Sequence, residues 1–366
     1  MEKRAIKLSL VFFSIIVIVC LIMSSCSTTE APAPSAPAPS APEPSAPAEH
    51  IKLIMASGIP DHEIPSIMHN YWMDKVEEKT NGQVEFERNY AGTLGGVMEI
   101  LSLVKEGAID VGVLFAINHP AEIPLHGILN MGGWKDRYLA SEAVRTIEWE
   151  SEKTAPLLEA EGKKQNLKFV FWPNIGGFCV VSRTKATTMA DLYGKKSTRF
   201  GFVADNVCKE FGMTTVATTS AEMYESLSKG VVDCSMASPT GVVPRKLHEV
   251  TVSYIFIPNY WCGGPLVVNY EKWEGLPDNV KQAMVEAEKE TTEYNIPFVA
   301  EKEREYEVVM KDAGLTVTPQ LPEDELNRMW QVWMDTFQVD WVENQEQFGV
   351  RDEAKVVADL FMELNK

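Results

Sequence analysis

The chain has 366 residues, of which 45% are apolar and 23% charged, and its formal net charge is −18. This length exceeds what one hydrophobic core usually serves, so the sequence predicts two lobes. So acidic a balance argues against nucleic acids and anionic membrane surfaces as partners.

The first 25 residues predict a secretion signal. Three basic residues precede an apolar run over positions 8–23, and the run ends in small residues. About sixteen residues are fewer than the roughly 20 that a spanning helix needs, although a short uncleaved anchor helix stays the alternative. The run stops at Met23-Ser24-Ser25-Cys26, which resembles a bacterial lipobox. Cys26 would then be the lipidated first residue of the mature chain.

Residues 26–50 predict a tether. Between Ala31 and Ala48 the chain repeats Ala-Pro and Ser-Ala-Pro, which favours an extended polyproline conformation and cannot build a core. At about 3.1 Å per residue, such a spacer would hold the folded body up to roughly 50 Å from the lipid. We therefore expect a membrane-tethered protein on the extracytoplasmic side.

Strands and helices alternate along the first part of the folded body. The predicted strands are Ile51–Ala56, Gln83–Arg88 and Ile109–Phe115, and the predicted helices are Pro65–Lys79 and Val97–Lys105. Such alternation indicates parallel βαβ units and an α/β fold.

The pattern recurs later in the chain. The predicted strands there are Lys168–Trp172, Gly177–Ser182 and Thr214–Ala217, and the predicted helices are Ala204–Phe211 and Ala221–Ser228. Gly230-Val231-Val232-Asp233 repeats the form of Gly107-Ala108-Ile109-Asp110, so two similar modules fit two lobes. The remaining predicted helices are a long one at Asp278–Met310, kinked at Pro297, then Pro322–Glu343 and Asp352–Leu364.

Motifs for catalysis and for metal binding are missing from the sequence. None of the six histidines has a metal-ligand spacing, and the chain has no nucleophile elbow, phosphate-binding loop or dinucleotide fingerprint. The sequence therefore predicts no enzyme, no metal and no cofactor. Beyond Cys20 and Cys26, four scattered cysteines allow three disulfide pairings, and free thiols are favoured in a chain of this size: Cys179, Cys208, Cys234 and Cys262.

Several segments in collinear order carry a family resemblance over nearly all of residues 51–366. They are Thr80-Asn81-Gly82-Gln83-Val84, Leu94-Gly95-Gly96, Val104 to Asp110, Ala190-Asp191-Leu192-Tyr193-Gly194-Lys195-Lys196, Glu222 to Leu227, Gly230 to Asp233, and Asn269-Tyr270-Glu271-Lys272-Trp273 with Leu276-Pro277. In this order they resemble the substrate-binding subunit of tripartite ATP-independent periplasmic (TRAP) transporters, in its dicarboxylate-binding-protein branch. The resemblance implies two α/β lobes joined by crossing hinge strands, a long helix spanning both, and closure around an organic acid. The acid then passes to a permease of small and large membrane subunits.

The resemblance also implies where the ligand binds. Arg199 stands, after one extra residue, where the family has an arginine that clamps the ligand carboxylate, and a guanidinium fork matches a carboxylate better than a lysine does. Cys179 replaces a second arginine found in many members, and Ala237-Ser238 replaces an asparagine. The full set of predicted ligand-binding residues is Arg199, Trp172, Phe178, Cys179, Phe202, Ser238, Tyr260, Trp261, Phe115 and Asn118. With one arginine lost and many aromatic neighbours, we expect a monocarboxylate with an apolar or aromatic body.

The predicted lobes are residues 51–175 with 263–296, and residues 176–262 with 297–366. Two alternatives stay open: a binding protein of an ATP-driven (ABC) importer for sugars or amino acids, and an exported α/β enzyme. Binding of a neutral sugar that does not depend on Arg199 would favour the first, and turnover of a ligand would favour the second.

Overall fold

A computed structural model describes residues 50–198, 201–218 and 222–365. The strands are β1 (Ile51–Ala56), β2 (Val84–Asn89), β3 (Val111–Val113), β4 (Leu167–Phe171), β5 (Asn174–Ser182), β6 (Lys196–Thr198), β7 (Thr214–Val216), β8 (Cys234–Ala237), β9 (Ser253–Cys262), β10 (Leu266–Asn269) and β11 (Thr316–Thr318). The helices are α1 (Ile64–Lys79), α2 (Ile100–Lys105), α3 (Arg137–Arg145), α4 (Ala155–Lys164), α5 (Gly201–Glu210), α6 (Met223–Lys229), α7 (Pro239–Val242), α8 (Tyr270–Gly275), α9 (Asp278–Asp312), α10 (Glu323–Asp335), α11 (Val342–Asn344) and α12 (Arg351–Leu364).

The first sheet has the strand order β2-β1-β3-β10-β4. Its β1 runs parallel to β2 and β3, whereas β10 runs antiparallel to β3 and β4. Alternate residues of β1, such as Leu53 and Met55, are fully buried and pack with Trp72 of α1. This period-2 burial is what a sheet with a covered face requires.

The second sheet has the order β11-β9-β5-β8-β6-β7. The long strands β5 and β9 are antiparallel neighbours at its centre, and β6 runs parallel to both β7 and β8. All nine residues of β5 are buried, as expected for a central strand covered on both faces.

Two short connections and one helix join the sheets. The chain passes from β4 to β5 through Trp172 and Pro173, and it returns from β9 to β10 through the three residues 263–265. The Gly263 N–H donates to the Pro173 carbonyl at 3.0 Å, so the two crossings lie side by side. Helix α9, about 52 Å long at 1.5 Å per residue, packs against α1 at one end and against β5, α7 and β11 towards the other.

This architecture confirms the predicted α/β fold with two sheets, crossing strands and a long shared helix. The two glycine-to-aspartate segments are also equivalent in structure. Gly107 and Gly230 each lie just after the end of a helix, with φ of +72° and +74°. This left-handed conformation favours glycine. Asp110 then accepts the Ile54 N–H at 2.8 Å, as Asp233 accepts the Lys196 N–H at 2.9 Å.

Several predicted boundaries were wrong. The helix expected from Val97 begins at Ile100, because residues 96–99 form a turn in which Glu99 accepts the Gly96 N–H. The strand expected over 109–115 is only β3. The Leu114 N–H still donates to the Pro265 carbonyl opposite, but the proline has no N–H with which to continue the ladder. The helix expected to reach Glu343 leaves α geometry after Asp335 and continues as a π-helix over Thr336–Trp341.

The elements that the sequence did not predict are α3, α4, α7, α8, β6, β8, β9, β10 and β11. Among the described residues no helix combines the length and the apolar character that crossing a membrane requires. The predicted signal, Cys26 and residues 26–49 of the predicted tether lie outside the described residues.

Candidate functional site

The candidate site is the cleft between the two sheets, at the ends where their parallel strands stop. In open α/β sheets, ligands bind beyond the carboxyl ends of the strands. In the first sheet, β1 and β3 end at Ala56 and Val113, and in the second β6 and β8 end at Thr198 and Ala237. We call the space bordered by the segments that follow these strands the cleft.

Glu63 and Arg245 show that these borders face each other. Glu63 ends the loop after β1, and Arg245 follows α7, which itself follows β8. Arg245 Nη2 lies 2.8 Å from Glu63 Oε2, and Nε lies 3.4 Å from Oε1. The contact therefore joins one side of the cleft to the other.

Ser238 borders the cleft on the second lobe. It has an extended backbone immediately before α7, and its half-buried hydroxyl lies 3.5 Å from that of Thr240. Thr240 in turn donates to the Ile175 carbonyl of β5 at 3.2 Å. Ser238 is thus held against the start of β5. We call β5 and β9 the hinge strands, because the chain crosses between the sheets beside them. Part of the Ser238 surface stays free to contact a ligand.

Phe115 and Asn118 border the cleft on the first lobe, in the segment after β3. Phe115 is half-buried, and a Cβ added to Gly264 would lie 3.2 Å from its Cζ, so this ring rests on the connection between β9 and β10. Asn118 is exposed at the end of a short 3₁₀ helix, Ala116–Asn118.

A buried histidine binds the connection of residues 263–265 between β9 and β10, which we call the hinge crossing. His69 of α1 lies with Nε2 at 2.7 Å from the Gly264 carbonyl, so this nitrogen carries the hydrogen and donates it. Burial lowers the pKa of His69 to about 3, although the bond to Gly264 opposes the shift. The neutral ring thus ties a helix of the first lobe to the strand connection.

An ion pair braces the other hinge strand. Glu303 of α9 accepts the Gly177 N–H at 3.0 Å, and its second oxygen accepts Arg137 Nη2 at 2.8 Å. The Arg137 guanidinium also lies 4.8 Å from the centre of the Tyr260 ring, and its Nη2 is 3.4 Å from the Tyr260 hydroxyl. Tyr260 is half-buried. We call these contacts among Gly177, Glu303, Arg137 and Tyr260 the hinge brace.

Three of the predicted aromatic residues lie in the hydrophobic core. Phe178 stacks on Trp261, with ring centres 5.2 Å apart and an interplanar angle of 18°. Trp172 stacks on Phe169 at 5.7 Å and 9°. All three predicted residues are no more than 7% exposed. Of the described aromatic candidates, only Phe115 and Tyr260 therefore keep appreciable exposed surface.

The remaining predicted residues are unequally placed. Cys179 is fully buried in β5 with Sγ 3.4 Å from the Ala237 carbonyl, and burial raises the pKa of its thiol well above the usual range. Arg199 lies outside the described residues. Phe202 belongs to α5, but its side chain also lies outside the described part. No group of three or more histidine, cysteine or acidic side chains in the described ranges is arranged to hold a metal ion.

Sequence reasoning missed the charged pair at the cleft. Glu63 and Arg245 are 182 residues apart, and neither belongs to a segment of the family resemblance. The only local signal is that Glu63 directly precedes a helix, a position that acidic residues favour for other reasons.

The comparisons with known proteins agree on one family. The profile of bacterial extracellular solute-binding protein family 7 matches residues 56–341. The 2,3-diketo-L-gulonate-binding periplasmic protein of Escherichia coli is 26% identical over 251 residues, which cover 68% of this chain and 75% of that protein. The C4-dicarboxylate-binding periplasmic protein of Rhodobacter capsulatus is 29% identical over 157 residues, 42% of this chain and 46% of its own length.

Solved structures share the fold at lower identity. A TRAP periplasmic solute-binding protein of Desulfovibrio salexigens with bound orotic acid has a TM-score of 0.73 and 20% identity, covering 86% of this chain and 99% of that one. A Bordetella pertussis extracytoplasmic solute receptor that binds pyroglutamic acid has a TM-score of 0.70 and 19% identity, covering 85% and 99%.

Proposed function

We propose, from the premise that the chain belongs to family 7 of the bacterial extracellular solute-binding proteins, that it captures a small organic acid for a TRAP permease. As a family member it is an extracellular solute-binding protein. The observation that carries the proposal is the family match over residues 56–341, on a chain whose two sheets are joined by paired crossing strands. Such a hinge suits capture by closure of two lobes.

The proposed ligand is a monocarboxylate with an apolar or cyclic body. Arg199 from the second lobe would hold the carboxylate in a bidentate pair, because a planar guanidinium matches it in a cleft that excludes water. Ser238 would add a hydroxyl, and Phe115 an aromatic surface, from opposite sides of the cleft. Cys179 supports a single carboxylate, since the thiol in the place of a second arginine is buried and uncharged.

The net charge does not exclude an anionic ligand. Without residues 1–25 the chain loses three basic side chains and one acidic one, which takes its charge from −18 to −20. At physiological ionic strength, charges beyond roughly 8 Å are largely screened. One arginine within the cleft can therefore outweigh acids spread over the surface.

A thermal-shift screen tests the proposed ligand class. The probes are orotate, pyroglutamate, glucuronate, C4-dicarboxylates, neutral sugars and neutral amino acids, each against the wild type, Arg199→Ala and the control Arg304→Ala. Arg304 is exposed on α9. A ligand at 100 times its dissociation constant adds about 2.7 kcal/mol of stability, or several degrees.

The expected result is that one class of monocarboxylate stabilises the wild type and the control but not Arg199→Ala. If only sugars or neutral amino acids stabilise the protein, and Arg199→Ala changes nothing, the ABC-importer alternative replaces the proposal. Turnover of a bound ligand would instead favour the exported enzyme.

The proposed location is the outer face of the membrane, through a lipid on Cys26 and the tether over 26–50. The support is the short apolar run followed by the lipobox-like segment. Cell fractionation of the wild type and Cys26→Ser tests it. We expect the wild type with the membranes and the variant in the soluble extracytoplasmic fraction, and an unchanged distribution would contradict the anchor.

A further inference from the structure

The contact between Glu63 and Arg245 has the geometry of a paired fork. Two guanidinium nitrogens, Nη2 and Nε, approach the two carboxylate oxygens at 2.8 and 3.4 Å. The side chains are only 16% and 21% exposed, respectively. A bidentate pair that is partly shielded from water is stronger than an ordinary surface pair.

On the first lobe, the Glu63 carboxylate pairs with Arg245 and does not cap the helix that follows it. Glu63 is the residue that precedes α1, yet its carboxylate caps none of the helix N–H groups. The negative charge still benefits from the positive end of the helix dipole. Its backbone is fixed, because the Glu63 carbonyl accepts the Ile67 N–H at 3.0 Å. The carboxylate therefore faces the cleft from a rigid support.

Arg245 is held equally firmly on the second lobe. Its N–H donates to the Gly241 carbonyl at 3.2 Å, and its guanidinium lies over Gly241, where an added Cβ would be 3.4 Å from Nη1. The adjoining α7 is attached to hinge strand β5 through Thr240. Neither partner can follow the other when the lobes separate, so opening of the hinge must break the pair.

We propose that Glu63 and Arg245 form an ionic latch that favours the closed arrangement of the two lobes before a ligand arrives. The latch biases the equilibrium between open and closed states, which a ligand then shifts further by its own preference for the closed state. Its effect on ligand affinity rests on the proposed function, whereas its effect on the ligand-free hinge does not.

Double electron–electron resonance, which measures the distance between two spin labels, tests the latch in ligand-free protein. Spin labels are placed at Ser102→Cys in α2 and Ser228→Cys in α6, two exposed serines on opposite lobes. For this experiment the full chain also carries Cys20→Ser and Cys26→Ser, so that these two thiols cannot take a label. The four other cysteines are buried and stay unlabelled in the folded protein.

The decisive variants are Glu63→Gln and the charge-reversed double variant Glu63→Arg/Arg245→Glu. Glu343→Gln is the matched control, because Glu343 also pairs with an arginine fork, that of Arg351, but within the C-terminal helices. We expect Glu63→Gln to lower the ratio of closed to open protein about fivefold, the order expected for one partly shielded pair. The reversed pair should restore at least half of that change, and the control should leave the distances unaltered.

Salt provides an independent check on the same label pair. At 1 M salt the Debye length falls to about 3 Å, so the wild type should shift towards the distances of Glu63→Gln while that variant stays unchanged. Identical distance distributions for the wild type and Glu63→Gln would overturn the latch. A reversed pair that behaves like Glu63→Gln would overturn it as well.

Ligand binding separates this inference from the proposed function. A fivefold lower ratio of closed to open protein should weaken the binding of any carboxylate by up to about fivefold, because apparent affinity scales with the fraction of closed protein. If no organic acid binds the wild type, the proposed function fails while the ligand-free distances still decide the latch. If acids bind but the distances do not respond to Glu63→Gln, only the latch fails.

Discussion

Asn295 and Asn174 are hydrogen-bonded to each other across the junction of α9 with the first residue of β5. The Asn295 side-chain oxygen accepts the Asn174 N–H at 2.6 Å, and its amide nitrogen donates to the Asn174 carbonyl at 3.0 Å. Both residues are 1% exposed. One side chain thus satisfies both backbone groups at the point where the chain enters the second lobe, a requirement for any buried peptide unit.

Asn295→Ala should therefore destabilise the protein. It leaves a buried N–H and a buried carbonyl without their partner, at about 3 kcal/mol in the free energy of unfolding. Urea unfolding measures the change. Asn279→Ala, at an exposed site on the same helix whose side chain reaches Gln83, is the control and should change stability by no more than about 0.5 kcal/mol. Equal effects of the two substitutions would contradict the assigned role.

His126 predicts a loss of stability at alkaline pH. Its buried ring lies 2.6 Å from a Glu161 oxygen and 3.3 Å from a Glu148 oxygen. Burial alone would lower the pKa of His126, but the charges and hydrogen bonds of Glu148 and Glu161 outweigh it and raise the pKa to about 9.

A folded pKa above the unfolded value of about 6.5 means that this stabilisation is complete below pH 6.5 and is lost as pH rises through 9. The loss is on the order of 3 kcal/mol. Urea unfolding of the wild type and His126→Gln between pH 6 and pH 10 measures it. The wild type should lose stability more steeply over this window, and His62→Gln, at an exposed histidine, should follow the wild type. Parallel curves for the wild type and His126→Gln would show that the ring is uncharged.

The sequence was sufficient to predict a structural feature where local backbone chemistry decides that feature. The segments of Gly107 and Gly230 were recognisable as a repeat, and the structure gives the reason. Each glycine is left-handed at a helix end, and the aspartate that follows binds a neighbouring strand within the same module. Strand β9 was not recognised, because Pro258 interrupts its apolar run. The structure accommodates that proline at an irregularity, where Phe178 pairs with Ile257 but Gly176 pairs with Trp261.

The candidate site was less predictable than the fold. The contact of Glu63 with Arg245 joins residues that are 182 positions apart in the chain, so no local pattern could indicate it. Aromatic content likewise could not distinguish core from cleft. Phe178 and Trp261 pack against each other, whereas Phe115, of the same chemical class, stays half-exposed at the hinge.

Gly176→Ala should disturb the hinge brace. Gly176 has φ of +97°, and a Cβ there would lie 2.3 Å from the Glu303 Oε1 that accepts the Gly177 N–H. Backbone strain and the displaced carboxylate together should reduce the free energy of unfolding by about 3 kcal/mol. Gly275→Ala is the control, because no neighbouring heavy atom lies within 4 Å of its added Cβ. Unfolding in urea should separate the two variants, and an unaffected Gly176→Ala would contradict the close approach of Glu303.

The four cysteines of the folded body should be unreactive thiols. Each is free and buried, and burial raises the pKa of Cys208 to about 11 and the pKa of Cys234 and Cys262 to about 12. Because the thiolate is the reacting species, a thiol reagent at pH 8 should find fewer than about one in a thousand of these groups ionised.

Titration with such a reagent should therefore leave these four thiols unmodified in the native protein and modify all four in denaturant. Cysteine-to-serine changes at positions 20 and 26 remove the two other thiols from the count. Two fewer thiols in the denatured, unreduced protein would reveal a disulfide and reopen the choice among three pairings. A thiol that reacts in the native state would instead show that its core opens to solvent faster than the whole protein unfolds.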